Sequence, residues 1–163
     1  MPNDVLSHLA VHIRQTATTP PTLALDVTNN SPDTSLTILT WESPLDPAAL
    51  PLGLFAITPD GARQPLDIPT IQIRRVMPPP RDSFVTLKPG ETRTQEHVLR
   101  EEIVPPADLG PNPKVAVRGT WMGVWTIPVE ELTPGRLDNM YTDEERLSGP
   151  FEAGPFEVTV HEA

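Results

Sequence analysis

The chain has 163 residues and no cysteine, which excludes disulfides, thiolate catalysis and zinc sites built on cysteine. Small secreted domains often depend on disulfides, so their absence favours a cytoplasmic location. Residues 1–20 contain no uninterrupted apolar run, so we expect no signal peptide, although secretion stays open if the chain is a processed form. No later stretch reaches the length of a membrane-spanning helix.

Basic residues are scarce as well: 12 Lys and Arg stand against 22 Asp and Glu, a net charge of −10. This balance argues against binding nucleic acid or an anionic membrane through bulk charge. The sequence also lacks a glycine-rich phosphate loop, a Gly-x-Ser-x-Gly elbow and the spacing of a calcium loop. We therefore predict no catalytic residues and no cofactor.

Proline is abundant, with 22 residues. Proline has no N–H and interrupts both helices and strand ladders. Because the prolines are expected to fall between apolar segments rather than inside them, they predict short elements joined by rigid loops.

Between the prolines, apolar and polar residues alternate with a period of two, as in half-buried strands. Leu9, Val11 and Ile13, for example, would share one face of a strand. With no long amphipathic helix, the pattern predicts an all-β fold: an immunoglobulin-like antiparallel β-sandwich of about seven to nine short strands with long proline-rich loops. A single domain is expected over residues 1–163. The predicted strands are 7–15, 22–29, 36–41, 53–58, 70–76, 82–87, 92–99, 114–127 and 155–161.

Residues 82–91 read Asp-Ser-Phe-Val-Thr-Leu-Lys-Pro-Gly-Glu, a strand that leads into a Pro-Gly-Glu turn and a threonine-rich strand. Upstream, Val27-Thr28-Asn29-Asn30-Ser31 forms a polar corner before a leucine-rich strand. Over about residues 22–100 this order resembles the amino-terminal β-sandwich pro-domain of deuterolysin-like (aspzincin) fungal metalloendopeptidases. The resemblance implies a fungal source and a free-standing relative that assists the folding of a partner enzyme or masks it. No His-Glu-x-x-His motif is present, so no zinc ligands carry over.

The histidines give no convincing metal site. His8 and His12 would lie on the same side of a strand, about 13 Å apart by strand rise, which is too far to share one metal ion. His161 could approach them through strand pairing, and a helix would make His8 and His12 neighbours, but the alternation favours a strand. Glu96 and His97 resemble an acid–base pair, which we interpret as part of a solvated strand end.

Trp121 and Trp125 are predicted to share one face of the longest strand, with Gly119 and Gly123 leaving room for an aromatic ring or a ligand. These tryptophans either pack between the sheets or form a binding surface, since Trp is enriched at contact sites. The long polar loop 132–151 follows them and is predicted to be mobile and to carry function, or else to cover a sheet edge. The candidate ligand- or partner-binding residues are Trp121, Trp125, Arg136, Asn139, Tyr141 and Arg146.

Three functions stay open. The leading hypothesis is a non-enzymatic binding module that contacts a protein partner, because no catalytic motif is recognised. The alternative is a small-molecule-binding protein or an unconventional enzyme with a pocket near Trp121, Trp125 and Tyr141. A self-associating structural protein is the third.

Overall fold

A computed structural model of the chain describes residues 2–160, which form two antiparallel sheets with few helices. This confirms the predicted all-β sandwich. The strands are β1 Leu9–Thr18, β2 Pro21–Asn29, β3 Leu36–Leu39, β4 Phe55–Thr58, β5 Phe84–Leu87, β6 Thr92–Val98, β7 Lys114–Trp125 and β8 Leu147–Glu157. The helices are α1 Pro2–Ser7 and α2 Pro134–Asp138, with single 3-10 turns at Arg81–Ser83, Pro106–Asp108, Val129–Glu131 and Met140–Thr142.

One sheet has three strands in the order β1-β2-β6, and the other has β4-β7-β3-β5 with β8 paired to β7. The long strand β7 organises the second sheet, because it pairs with β4 near its start, with β3 at its end and with β8 over most of its length. The turn between β5 and β6 closes with a hydrogen bond from Glu91 N to the carbonyl of Lys88, 2.9 Å long. Gly90 has a φ of 81° there, a value that favours glycine.

The main core lies between the two sheets and is made by alternate residues of the facing strands. Leu23, Leu25 and Val27 of β2 are fully buried, and Leu36 and Ile38 of β3 are equally inaccessible. Burying one such side chain contributes ~1.5–3 kcal/mol. Together these buried side chains stabilise the sandwich, which contains no disulfide because the chain has no cysteine.

A second apolar cluster lies on the other side of β3. Leu39 is fully buried although it alternates with the inward Leu36 and Ile38, so β3 is covered on both faces. Segment 126–146 supplies the cover, and its hydrophobic side chains meet those of three strands. The cluster consists of Leu39, Trp41, Phe84, Trp125, Leu132, Leu137 and Met140.

Two strand predictions are wrong. Residues 70–76 form no strand, because within the described chain they pair with no neighbour except through one hydrogen bond, from Ile71 N to the carbonyl of Pro51. The last strand is Leu147–Glu157 rather than 155–161, and it contains Pro150 and Pro155. Among the described strands β8 pairs only with β7, and an edge strand tolerates prolines that a central strand would not. Position 161 lies outside the described residues.

Candidate functional site

The two tryptophans that were candidate binding residues do not lie together in the structure. Both are buried, but Trp121 belongs to the core between the sheets and Trp125 to the second cluster on the opposite face. The expectation that they share a face is wrong, because the pairing of β7 with β8 shifts register between Trp121 and Val124. A bulge inserts one extra residue and reverses the alternation beyond it. Neither indole is available as a contact surface in this arrangement.

The two glycines near these tryptophans each leave room for an aromatic ring. A Cβ on Gly119 would lie 2.8 Å from Cζ of Phe151, the residue opposite it on β8. A Cβ on Gly123 would lie 2.5 Å from the Trp125 ring. Both distances are too short for real contacts, so the space next to each glycine is filled by an aromatic ring rather than left for a ligand.

Arg136 and Asp143 hold the covering segment in place over Trp125. The Nε of Arg136 donates to Oδ2 of Asp143 over 2.8 Å, and Nε1 of Trp125 donates to the same oxygen over 3.2 Å. The Arg136 guanidinium lowers the pKa of the Asp143 carboxyl to about 2, against a smaller opposing effect of burial. The predicted binding residue Arg136 thus closes the loop on the body of the protein.

The other loop candidates also contact the protein itself, within the loop or on β7. Asn139 donates to the carbonyl of Gly135 over 3.0 Å, and Arg146 donates to the carbonyls of Met140 and Met122. Tyr141 lies in the turn Met140–Thr142, but its side chain falls outside the described part of the structure. The assignment of the six residues to a binding site stays a prediction.

The apolar side chains of loop 132–151 pack against the sandwich rather than forming a core of their own. Leu132, Leu137 and Met140 are buried and complete the second cluster, and the end of the loop is part of β8. The loop thus covers a face of the second sheet, whereas the alternative interpretation is a loop that covers a sheet edge. That the loop is mobile and carries function stays a prediction.

Within residues 2–160, no group of three or more His, Asp or Glu side chains is arranged to hold a metal ion. His97, predicted to be solvated, is buried instead: its Nε2 lies 2.9 Å from the carbonyl of Pro44 and its ring packs edge-on to Phe55. Burial lowers the pKa of this imidazole. No acid–base pair with Glu96 follows, since Glu96 is exposed on the neighbouring position.

A groove runs elsewhere, beside the long connection between β4 and β5. Its larger part is a cavity of about 630 Å³ whose lining includes Trp41, Leu52 and Met122, and a second cavity of about 500 Å³ shares Leu52, Met122 and Glu42 with it. The shared residues place the two cavities side by side. Residues 70–77, which we call the 70–77 strip, form one wall of the larger cavity.

The 70–77 strip exposes apolar side chains. The described residues include five large hydrophobic side chains that are exposed, and four lie in this strip: Ile71 at 53%, Ile73 at 40%, Val76 at 85% and Met77 at 41%. Its main chain is open too, because Ile71 N to Pro51 O is the strip's only main-chain hydrogen bond to the described residues. The strip therefore presents both side chains and backbone groups to solvent.

Arg75 fixes the strip to the body of the protein. One guanidinium nitrogen lies 2.8 Å from Oδ2 of Asp46, whose side chain is buried, and the guanidinium carbon lies 5.0 Å from the centre of the Trp41 ring. Asp46 also accepts hydrogen bonds from the main-chain N–H groups of Glu42 and Ala48. This anchor holds the strip at the rim of the groove without covering its exposed residues.

Sequence reasoning missed this surface, although signals were present. Residues 70–76 alternate like a strand but lie in a connection that is rich in proline. The connection 59–80 is long for a compact domain, and loops of such length are usually functional or disordered. The pair Arg74-Arg75 was also notable in so acidic a chain.

Known proteins give further information. The chain is 33% identical over 146 residues to an uncharacterized secreted protein of the fungus Arthroderma benhamiae, an alignment that covers 88% of this chain and 71% of the relative. Its secretion contradicts the cytoplasmic location expected here. A core of this size is stable without disulfides, so the absence of cysteine does not report on the compartment. No helix within residues 2–160 is long and apolar enough to cross a membrane.

A protein-family model for the immunoglobulin-like domain matches residues 8–160. Neither this match nor the fungal relative supports the resemblance to deuterolysin-like pro-domains, and the folding or masking role implied by that resemblance loses its basis. The turn at Pro89-Gly90 that suggested it serves many sandwich folds. The match extends over β1 to β8 of the sandwich described above, and the chain therefore belongs to the immunoglobulin-like domain family.

Proposed function

We propose that this single immunoglobulin-like domain is a non-enzymatic binding module that contacts a protein partner through the 70–77 strip. The observation that carries the proposal is the concentration of exposed apolar side chains in one short segment whose main chain makes a single hydrogen bond to the described residues. Clustered exposed apolar residues mark interaction sites, whereas single ones scattered over a surface need no explanation. The secretion of the fungal relative supports an extracellular partner.

The geometry of the groove favours this function over a small-molecule site. The groove is an open trough at the surface, whereas ligand pockets usually enclose most of their ligand. Its lining includes the apolar side chains of Trp41, Leu52 and Met122, and one wall is the strip itself. An open trough beside an exposed segment suits another polypeptide chain.

A displayed library of random linear peptides tests the proposal. Peptides selected on the wild-type protein are synthesised, and their Kd values are measured with a triple variant, Ile71→Ser with Ile73→Ser and Val76→Ser. We expect affinity to fall at least tenfold, about 1.4 kcal/mol. The three side chains are exposed, so a thermal melt should show the variant as folded as the wild type.

Val98→Ser is the matched control, because Val98 is 39% exposed but lies on β6, away from the strip. It should keep wild-type affinity. Equal binding by the triple variant and the wild type would refute the strip as the docking surface.

A further inference from the structure

The charge around the 70–77 strip is opposite to that of the chain. The two adjacent cavities are lined by Arg74, Arg75, Arg118 and Arg146 and by one acidic residue, Glu42. The chain as a whole carries a net charge of −10. A basic trough on an acidic protein attracts an anionic partner.

Two of these arginines have no side-chain partner among the described residues. Arg75 is held by Asp46, and Arg146 donates to main-chain carbonyls. Arg74 and Arg118 are exposed and make no side-chain hydrogen bond or ion pair with any described residue. The exposed Glu42 carboxylate also lacks an ion pair within residues 2–160, and it offsets only one of the two charges.

Unpaired guanidinium groups bind carboxylates in a bidentate geometry, with two parallel hydrogen bonds. Arg74 lies on the strip and Arg118 on β7, at the second part of the trough. A ligand that meets both must therefore run along the trough rather than fill one end of it.

The main chain of the 70–77 strip favours a ligand with an extended backbone. Residues 72–77 have N–H and C=O groups that no described residue satisfies, and residues 65–76 contain neither a turn nor a bend. Unpaired groups of this kind accept an extended chain as an added strand, in which main-chain bonds give affinity and side-chain contacts give specificity.

We infer that the partner offers an extended acidic peptide segment, which pairs with the main chain of residues 72–77, rests apolar side chains on Ile71 and Ile73, and places carboxylates on Arg74 and Arg118. This inference rests on the proposed function, since it names the chemistry of the same docking surface.

The experiment uses the peptides selected on the wild-type protein. Each peptide is compared with a version in which Asp and Glu are replaced by Asn and Gln. Both are measured on the wild type, on the double variant Arg74→Gln with Arg118→Gln, and on the control Arg93→Gln. Arg93 is exposed on β6 and outside the trough.

We expect selected peptides to be enriched in Asp and Glu and to lose at least tenfold in affinity when these become amides. The double variant should bind the acidic and the amide peptides equally, while Arg93→Gln should discriminate as the wild type does. N-methylation of alternate peptide bonds should weaken binding by a similar factor, because it removes the main-chain donors.

Other outcomes overturn the inference. Selected peptides without acidic enrichment, or a double variant that still prefers the acidic peptide, would refute the carboxylate sites. If the serine triple variant nevertheless lost binding, the proposed function would stand. Failure of the triple variant to lose binding would remove both. A concentration-dependent dimer in sedimentation, abolished by the triple variant, would identify a second copy of this chain as the occupant instead.

Discussion

Nε1 of Trp125 donates a hydrogen bond to Oδ2 of Asp143 over 3.2 Å, and this contact joins the end of β7 to the segment that covers it. The same carboxylate oxygen accepts the Nε of Arg136 over 2.8 Å, and Oδ1 accepts the main-chain N–H of Glu145. One half-buried acid thus connects the indole, the short helix and the chain entering β8. Segment 126–146 therefore covers the second cluster and is fixed over it.

The first prediction concerns the charge of Asp143. Asp143→Ala should lower the free energy of unfolding at pH 7 by about 1–3 kcal/mol, because it removes charge-assisted hydrogen bonds and leaves Trp125 Nε1 unpaired. The folded pKa of about 2 lies below the ordinary 3.8, so this stabilisation is complete above pH 3.8 and is lost as the pH falls towards 2. Urea denaturation of both proteins between pH 7 and pH 2 measures it.

Glu145→Ala is the control for Asp143, since the Glu145 side chain is 62% exposed although it also contacts Arg136. A surface ion pair of this kind contributes ~0–1 kcal/mol. If Asp143→Ala lowered the free energy of unfolding no more than Glu145→Ala does, the network around Trp125 would not stabilise the fold.

The second prediction concerns the apolar side of the same segment. Leu137 is buried in the second cluster, and Leu137→Ala should cost about 2–5 kcal/mol in unfolding free energy. A shortened protein in which residues 136–147 are replaced by a Gly-Ser linker should be destabilised by more than this. A shortened protein that melts at the wild-type temperature would show that the segment does not shield a core.

The third prediction tests the packing next to Trp125. Gly123→Ala should cost about 1–3 kcal/mol, because its Cβ would lie 2.5 Å from the ring. Gly135→Ala is the matched control: no heavy atom lies within 4 Å of its Cβ, and its place in α2 makes alanine the better residue by ~0.5–1 kcal/mol. Thermal melts should show a lower melting temperature for Gly123→Ala and a higher one for Gly135→Ala. An unchanged melting temperature for Gly123→Ala would contradict the close contact.

The fourth prediction concerns His97. Burial lowers its pKa below the ordinary 6.5, so the protein gains stability from the neutral imidazole above pH 6.5 and loses it as the pH falls through the lowered folded value. The unfolding free energy should therefore fall between pH 7 and pH 5. His97→Gln should flatten this slope. Equal slopes in the wild type and the variant would refute the assignment.

The fold was predictable from the sequence because local alternation determines it. Leu9 and Ile13 alternate with exposed residues on β1 as expected, since one face of the strand packs on the core. The phase of β7 beyond Trp121 was not predictable, because a bulge depends on the pairing partner and leaves no mark in the alternation. The burial of Leu137 was not predictable either, because the side chains that cover it come from distant parts of the chain, such as Leu39 and Trp125.

The site was harder to predict than the fold. Residues 70–76 have the pattern of a strand, but whether a strand forms depends on a neighbour that only the tertiary structure supplies. The sequence Arg74-Arg75 does not indicate that Arg75 forms an ion pair with Asp46 while the Arg74 side chain contacts no charged or polar group of the described residues. Long-range contacts decide which residues of a segment are engaged and which are offered to a partner.

Amide hydrogen exchange over Gln72–Met77 tests the central claim most directly. In the free protein these amides should exchange at rates close to those of an unstructured peptide, because no described residue accepts their hydrogen bonds. With a saturating selected peptide, their exchange should slow at least tenfold, while the amides of the distant edge strand β6 stay unchanged. Binding that leaves residues 72–77 unprotected, or that protects β6 instead, would contradict docking on the 70–77 strip.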